Sequence, residues 1–270
     1  MHKDGFSGYL TDFGIVIPTL GMRLDYLQET IRSLPSPTSG MQVVLVAPEE
    51  KHPSLTLLFS GHSVTLVRDL GKGLANAINQ GVMALPSKCT FVAWIGDDDM
   101  LNEDVLPLSL KVLRTNDDYV ATFGDIELID REGRLFKTFR TSQGATKSIF
   151  FAPNKVPQPG SIVRRSAFNR IGGLDEEFRF SFDSDMFMRL SKIGKIHHIP
   201  LLVAKFRWHP DSLSAGQSGR SIREASQARL KNLPFYLRVL ATVWEAIHVK
   251  IAISMGENSF DRALRHSRRR

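Results

Sequence analysis

The sequence predicts an α/β fold: a mostly parallel sheet flanked by helices, followed by a basic helical extension. Short apolar runs without alternation recur between segments of helical periodicity, the pattern of strands buried on both faces. The 270 residues, 42% hydrophobic and 23% charged, can bury one sizeable core with an appendage. Charge is also partitioned. Residues 220–270 carry 11 Lys+Arg against 4 Asp+Glu, a net +7, whereas residues 1–219 hold 24 of each. A neutral main body argues against a catalytic domain that grips nucleic acid, and the basic extension is suited to an anionic surface.

The elements follow in order. GIVIP (14–18) is the first strand, and in MRLDYLQETIRSL residues Leu24, Leu27, Ile31 and Leu34 share one helical face. QVVLVA (42–47) and SVTLV (63–67) are the second and third strands. GKGLANAINQGVMAL carries a helical stripe of Leu74, Ala77, Ile78, Gly81, Val82 and Leu85. CTFVAWI (89–95) is the fourth strand, and NEDVLPLSLKVL (102–113) a helix with an Asn cap. After residue 118, YVATFGDIELIDREGRLFKTF reads as a hairpin turning at Asp130–Gly133. GSIVRRSAF is strand then helix, FDSDMFMRLSKIG a helix, and KIHHIPLLVAKF a closing strand or strand pair. The Ser/Gly-rich SLSAGQSGRS (212–221) marks the expected boundary between a catalytic domain (1–219) and a tail (220–270). The lone Cys89 excludes an internal disulfide framework and points to a reducing compartment, and MHKDGFSGYLTD has no apolar signal region, so a cytoplasmic location is expected.

The chemistry gathers in FVAWIGDDDML (91–101), where a buried strand ends in Asp97, Asp98 and Asp99. Three adjacent carboxylates repel one another, more so beside a low-dielectric strand, and need a positive partner: a Lys or Arg, a helix N-terminus or a metal ion. In an open parallel sheet ligands bind beyond the carboxyl ends of the strands, where this triplet lies. Carboxylates and a diphosphate share such a place through a hard cation, Mg²⁺ or Mn²⁺. The competing reading is a solvated turn ahead of a capped helix.

GIVIPTLGMRLDYLQETIRSL, VTLVRDLGKGLANAINQGV, FVAWIGDDDML, GSIVRRSAFNRIGGLDEEFRFSFDSDMFMRL and FRWHPDSLS occur in an order that resembles glycosyltransferase family 2, inverting nucleotide-sugar enzymes of the GT-A fold. The resemblance covers roughly residues 13–214. It implies that Pro18 and Thr19 hold the nucleotide and that Asp97 and Asp98 contact the donor. Asp97 and Asp99 would be the metal-binding D-x-D pair, and Asp183 the general base. It further implies that Arg207 and His209 neutralise the departing diphosphate, His209 as a metal ligand and Arg207 as a phosphate clamp. The sequence departs from the pattern after the second strand, where VAPEEKH lacks an aligned base-binding Asp. Asp69 in VRDLGKG can replace that contact through the N3–H of a uracil-like base, with Lys72 beside it; capping the helix that begins near Lys72 is its alternative role. Asp185 is expected to pair with Arg189 at i+4. PQPGSIVRRS is expected to line the acceptor side, with Gly160 allowing close backbone approach.

The resemblance implies transfer of a sugar from a nucleoside diphosphate, a UDP-sugar being expected, to a saccharide or lipid-linked hydroxyl in bacterial surface polysaccharide or glycolipid synthesis. A sugar-phosphate nucleotidyltransferase is the rival enzyme class, although PTLGMRLDY lacks its glycines; a degenerate sugar-nucleotide binder is the non-enzyme rival. In the tail, LPFYLRVLATVWEAIHVKIAIS places Leu237, Leu240, Trp244, Ile247 and Ile251 on one face, but Arg238, Glu245, His248 and Lys250 are too many charges for a comfortable span. An interfacial helix on an anionic inner leaflet, or packing on the core or a second subunit, fits that pattern. No nucleic-acid motif is present, and nothing in the sequence sets the oligomeric state.

Overall fold

The computed structural model describes residues 9–59, 64–152, 154–208, 218–239, 241–246 and 249–250. The first half runs β1 (Phe13–Pro18), α1 (Leu24–Arg32), β2 (Gln42–Ala47), α2 (His52–Leu58), β3 (Val64–Arg68), α3 (Leu74–Ala84), β4 (Phe91–Trp94), β5 (Met100–Leu101) and α4 (Leu106–Thr115). The second half runs β6 (Tyr119–Ile129), β7 (Leu135–Phe139), α5 (Ala145–Ser148), β8 (Ile162–Arg164), α6 (Arg165–Arg170), α7 (Phe182–Ser191), β9 (Lys195–Arg207) and α8 (Ser218–Asn232).

One sheet joins the strands in the order β3-β2-β1-β4-β8-β6-β9-β5, with β7 paired to β6 off that path. β1, β2, β3 and β4 are parallel, and β6 and β9 are parallel to each other. β8 is antiparallel to both β4 and β6, so it splices the two parallel sets together. The apolar runs serve two faces at once. Val16, Val44, Val46, Val92 and Trp94 pack toward α3 and α7, while Ile15, Ile17, Val43, Leu45 and Ala93 pack toward α1 and α4. Burial on both sides is why these strands do not alternate.

Three local expectations change. The helix expected from Asn102 starts at Leu106; Asn102 instead accepts the Asp104 N–H at 3.3 Å and donates to Leu202 O at 2.7 Å, bracing the turn against β9. α2, with Pro53 in its first turn, had no clear stripe to announce it. The expected boundary at 219/220 falls inside α8, which packs on α7. Ala228 and Leu233 are buried, Asn232 Nδ2 donates to Asp185 Oδ1 at 2.7 Å, and Glu224 Oε2 accepts the Phe180 and Ser181 N–H groups at 2.7 and 3.2 Å. α8 thus satisfies backbone donors at the start of α7, which a solvent-facing tail would not do. Of the expected tail face, Leu240, Ile247 and Ile251 lie outside the described residues, Leu237 is half-buried and Trp244 is exposed.

Candidate active site

β1 and β4 are neighbours, so the loops that leave them meet. Thr19, at the end of β1, donates Oγ1–H to Asp97 Oδ2 at 2.5 Å and accepts the Gly21 N–H at 2.9 Å. Four residues on, Arg23 reaches the same cluster, NH2 to Asp97 Oδ1 at 2.9 Å and NH1 to Asp98 Oδ2 at 2.8 Å. From the opposite side, β9 delivers Arg207. Its N–H donates to Asp99 Oδ1 at 2.9 Å and its Nε to Asp98 O at 3.0 Å.

The positive partners that the triplet requires therefore include two arginines, and the two differ. Arg207 is only 1% exposed. Its NH1 donates to the Asp130 and Arg131 carbonyls at 3.1 and 2.9 Å, its NH2 pairs with Glu29, and its guanidinium lies 4.4 Å from the Tyr26 ring centroid. That placement corrects the expected phosphate clamp: Arg207 is committed to the protein and latches the β6–β7 turn to the triplet. Arg207→Met is accordingly expected to cost about 2–3 kcal/mol in a urea melt, because it strips donors from the Asp98, Asp130 and Arg131 carbonyls and leaves Glu29 without its buried partner. An undiminished stability would return Arg207 to a role in ligand binding. Arg23, by contrast, keeps 40% of its side chain exposed and was missed in the sequence, although the parallel order of strands aims its loop at the aspartates.

Burial keeps the cluster costly to ionise even with these arginines in place. Burial pushes the Asp97 carboxyl upward, against the opposing pull of the Thr19 hydrogen bond and the Arg23 charge. Burial and then the Asp98 and Asp97 charges hold Asp99 well above the usual carboxylate range. A hard cation suits this all-oxygen set. Asp98 Oδ1 and Asp99 Oδ2 each lie 2.9 Å from where a Cβ on Gly96 would sit, so position 96 has no room for a side chain. Among the described residues no group of three or more His, Cys, Asp or Glu is arranged to hold a metal, and His209 lies outside them. One or two carboxylates are what Mg²⁺ ordinarily takes from a protein when substrate phosphates and water complete its shell.

At the carboxyl ends of β1–β3 the strand ends are locked together: Thr19 N–H donates to Val46 O, and Asp69 N–H to Ala47 O, both at 2.9 Å. Pro18 closes β1 in register with Val46 of β2. Asp69 does not cap α3; its Oδ1 accepts the Gly71 N–H at 2.9 Å and shapes the turn in which Lys72 is exposed. That turn reaches its shape through Gly71 and Gly73 at φ 69° and 99°, a region other residues disfavour.

Asp183 stands in the first turn of α7 and accepts the Ser184 N–H at 2.7 Å. The N-terminal end of α7 favours the ionised form. Desolvation wins instead, and its pKa is raised to about 6. A single loop ties this residue to the aspartate strand: Asn154 Nδ2 donates to Ser184 Oγ at 3.0 Å, and Gln158 Nε2 to Trp94 O at 2.9 Å. Gly160 in that loop, at φ 77°, passes so close to β9 that an added Cβ would meet Val203 at 2.7 Å. Asp185 is fully buried on Arg189, whose Nε donates to it at 2.7 Å, and is structural.

No protein-family model matches the chain. An uncharacterized glycosyltransferase of Rickettsia bellii is 20% identical over 222 residues, which is 78% of this chain and 32% of that protein. One of Rickettsia prowazekii is 22% identical over 204 residues, 72% of this chain and 63% of the relative. The chain thus spans about a third to under two thirds of these curated relatives. Among solved structures, S. aureus TarS 1–349 in complex with UDP-GlcNAc aligns with a TM-score of 0.62 at 13% identity, covering 82% of this chain and 66% of that one. The mannosyltransferase PcManGT from Pyrobaculum calidifontis, in complex with GDP-Man and Mn²⁺, also gives 0.62 at 15% identity, covering 94% and 75%. The mixed α/β fold is therefore one shared with glycosyltransferases.

Proposed function

We propose that this chain is an inverting, metal-dependent glycosyltransferase of the GT-A type, similar to family 2, which moves a sugar from a nucleoside diphosphate to a hydroxyl acceptor. The observation that carries the reading is geometric: three aspartates gathered at the strand ends, with the 154–160 loop bonded both to β4 and to the first turn of α7, where Asp183 stands. Asp97 and Asp99, with Asp98 beside them, would hold Mg²⁺ or Mn²⁺, with His209 as a further ligand, and the ion would neutralise the diphosphate as it leaves. Thr19 and Arg23 fix Asp97, and Arg207 fixes Asp99 from behind. Pro18, Asp69 and Lys72 border the nucleotide. Asp183 accepts the acceptor's hydroxyl proton; the oxygen then attacks the anomeric carbon as the bond to the diphosphate breaks on the opposite face, which inverts configuration.

A UDP-sugar donor and a saccharide or lipid-linked acceptor complete the reading, at a cytoplasmic membrane face in surface polysaccharide or glycolipid assembly. Among the described residues no helix is long and apolar enough to cross a membrane. The test is a panel of UDP- and GDP-sugars with Mn²⁺, read as release of nucleoside diphosphate. Saturable release with one donor supports the proposal. Pyrophosphate released from a nucleoside triphosphate and a sugar phosphate would instead identify the nucleotidyltransferase, and donor binding without turnover a degenerate binder.

A further inference from the structure

We propose that the helical segment after α8 is a docking surface for an anionic lipid bilayer, presented by Phe235, Tyr236, Val239, Val243 and Trp244. All five are 59–80% exposed, on the helical stretches 235–239 and 241–246. Their orientation is fixed from the other side. Glu245 is buried against Arg229 of α8, accepting Nε–H at 2.7 Å and NH2–H at 2.6 Å. At about 100° per residue, positions 235, 236 and 239 fall within one arc of about 100° on the first stretch, and on the second Val243 and Trp244 lie about 160° and 100° from Glu245.

Five large exposed apolar side chains within ten residues are not ordinary scatter on a soluble surface. Tyr and Trp among them suit the headgroup level of a bilayer. Charge selects the occupant. Residues 220–270 carry a net +7, and the last ten of the sequence hold five arginines against one aspartate. Two such surfaces repel each other, whereas an anionic leaflet attracts them. α8 joins this face to α7 through Glu224 and Asn232, so docking would bring the helix that bears Asp183 to the lipid surface. The inference deepens the membrane partner named above without needing sugar transfer, so binding is measured with no donor present.

The full chain is sedimented with vesicles of phosphatidylcholine alone, or of equal parts phosphatidylcholine and phosphatidylglycerol. Binding is expected only with the anionic vesicles, accompanied by a blue shift of Trp244 emission, and is expected to weaken at least about tenfold in ~0.5 M salt. The variant Phe235→Ser/Val239→Ser/Val243→Ser removes exposed groups only, so its melting temperature is expected to match wild type while vesicle binding is lost. Trp244→Phe identifies the origin of the spectral shift. Equal binding by the triple variant, or equal binding to neutral vesicles, overturns the proposal. So does a concentration-dependent dimer that the triple variant abolishes in the absence of any vesicle binding.

Discussion

Asp183→Asn is expected to lower sugar transfer by roughly 10²–10⁴-fold, the usual worth of a general base, while donor affinity stays within a few-fold of wild type. The amide keeps the shape of the carboxylate and cannot take the acceptor's proton. With the wild-type pKa at about 6, the rate is expected to fall on the acid side as pH drops through that value, a limb the variant lacks. Stability moves the other way. A carboxyl raised in the folded state favours folding at low pH, and the cost of its charge grows as pH rises from the unfolded value of 3.8 through about 6. At pH 7.5 Asp183→Asn is therefore expected to gain on the order of 2 kcal/mol, after allowance for partial exposure, and to gain almost nothing near pH 4. Activity lost with stability gained separates a working base from a structural acid, whose removal would destabilise. Transfer within a few-fold of wild type would move the base role elsewhere.

The parts of the fold that were legible in the sequence are those where one local pattern suffices. β2 was readable to the residue because QVVLVA is apolar throughout and bounded by turns. The β6–β7 turn was readable because Asp130 accepts the Glu132 and Arg134 N–H groups, a habit of that residue type. Long-range partners were not legible. Nothing near Arg207 announces that it will be buried on Glu29 and two carbonyls of a distant turn, so a charged residue in a suggestive motif read as a ligand group. Arg23 lies within the first resembling segment but has no role implied there, and only the adjacency of β1 and β4 brings it to Asp97. The Ser/Gly-rich stretch 212–221 and the charge excess after it place α8 in a tail, yet Ala228, Leu233 and Glu224 pack it on α7. At Asp183 the dipole argument named a real force, but burial was the larger one, and burial is set by the whole fold.

Asp99→Asn is expected to abolish the metal-dependent part of donor binding, with a loss of at least roughly 10–100-fold, since even outer partners of a metal are worth that much. The amide oxygen can still accept the Arg207 N–H, so the turn is expected to hold, as a melting curve would show. EDTA on the wild type is expected to reproduce the loss, and Mn²⁺ to reverse it in the wild type alone. Direct Mn²⁺ binding, read by calorimetry without substrate, is expected to weaken in parallel. The rival supply of positive charge is Arg23, which already bridges Asp97 and Asp98. The two differ in sign at one further variant. If a cation carries the diphosphate, Arg23→Gln removes a competing charge, and Mn²⁺ binding holds or tightens while donor binding stays metal-dependent. If Arg23 itself faces the diphosphate, the same change weakens donor binding, and EDTA does nothing to the wild type. The second pattern would end the metal assignment and leave a transferase whose aspartates aim an arginine, because three desolvated carboxylates need positive charge from one source or the other.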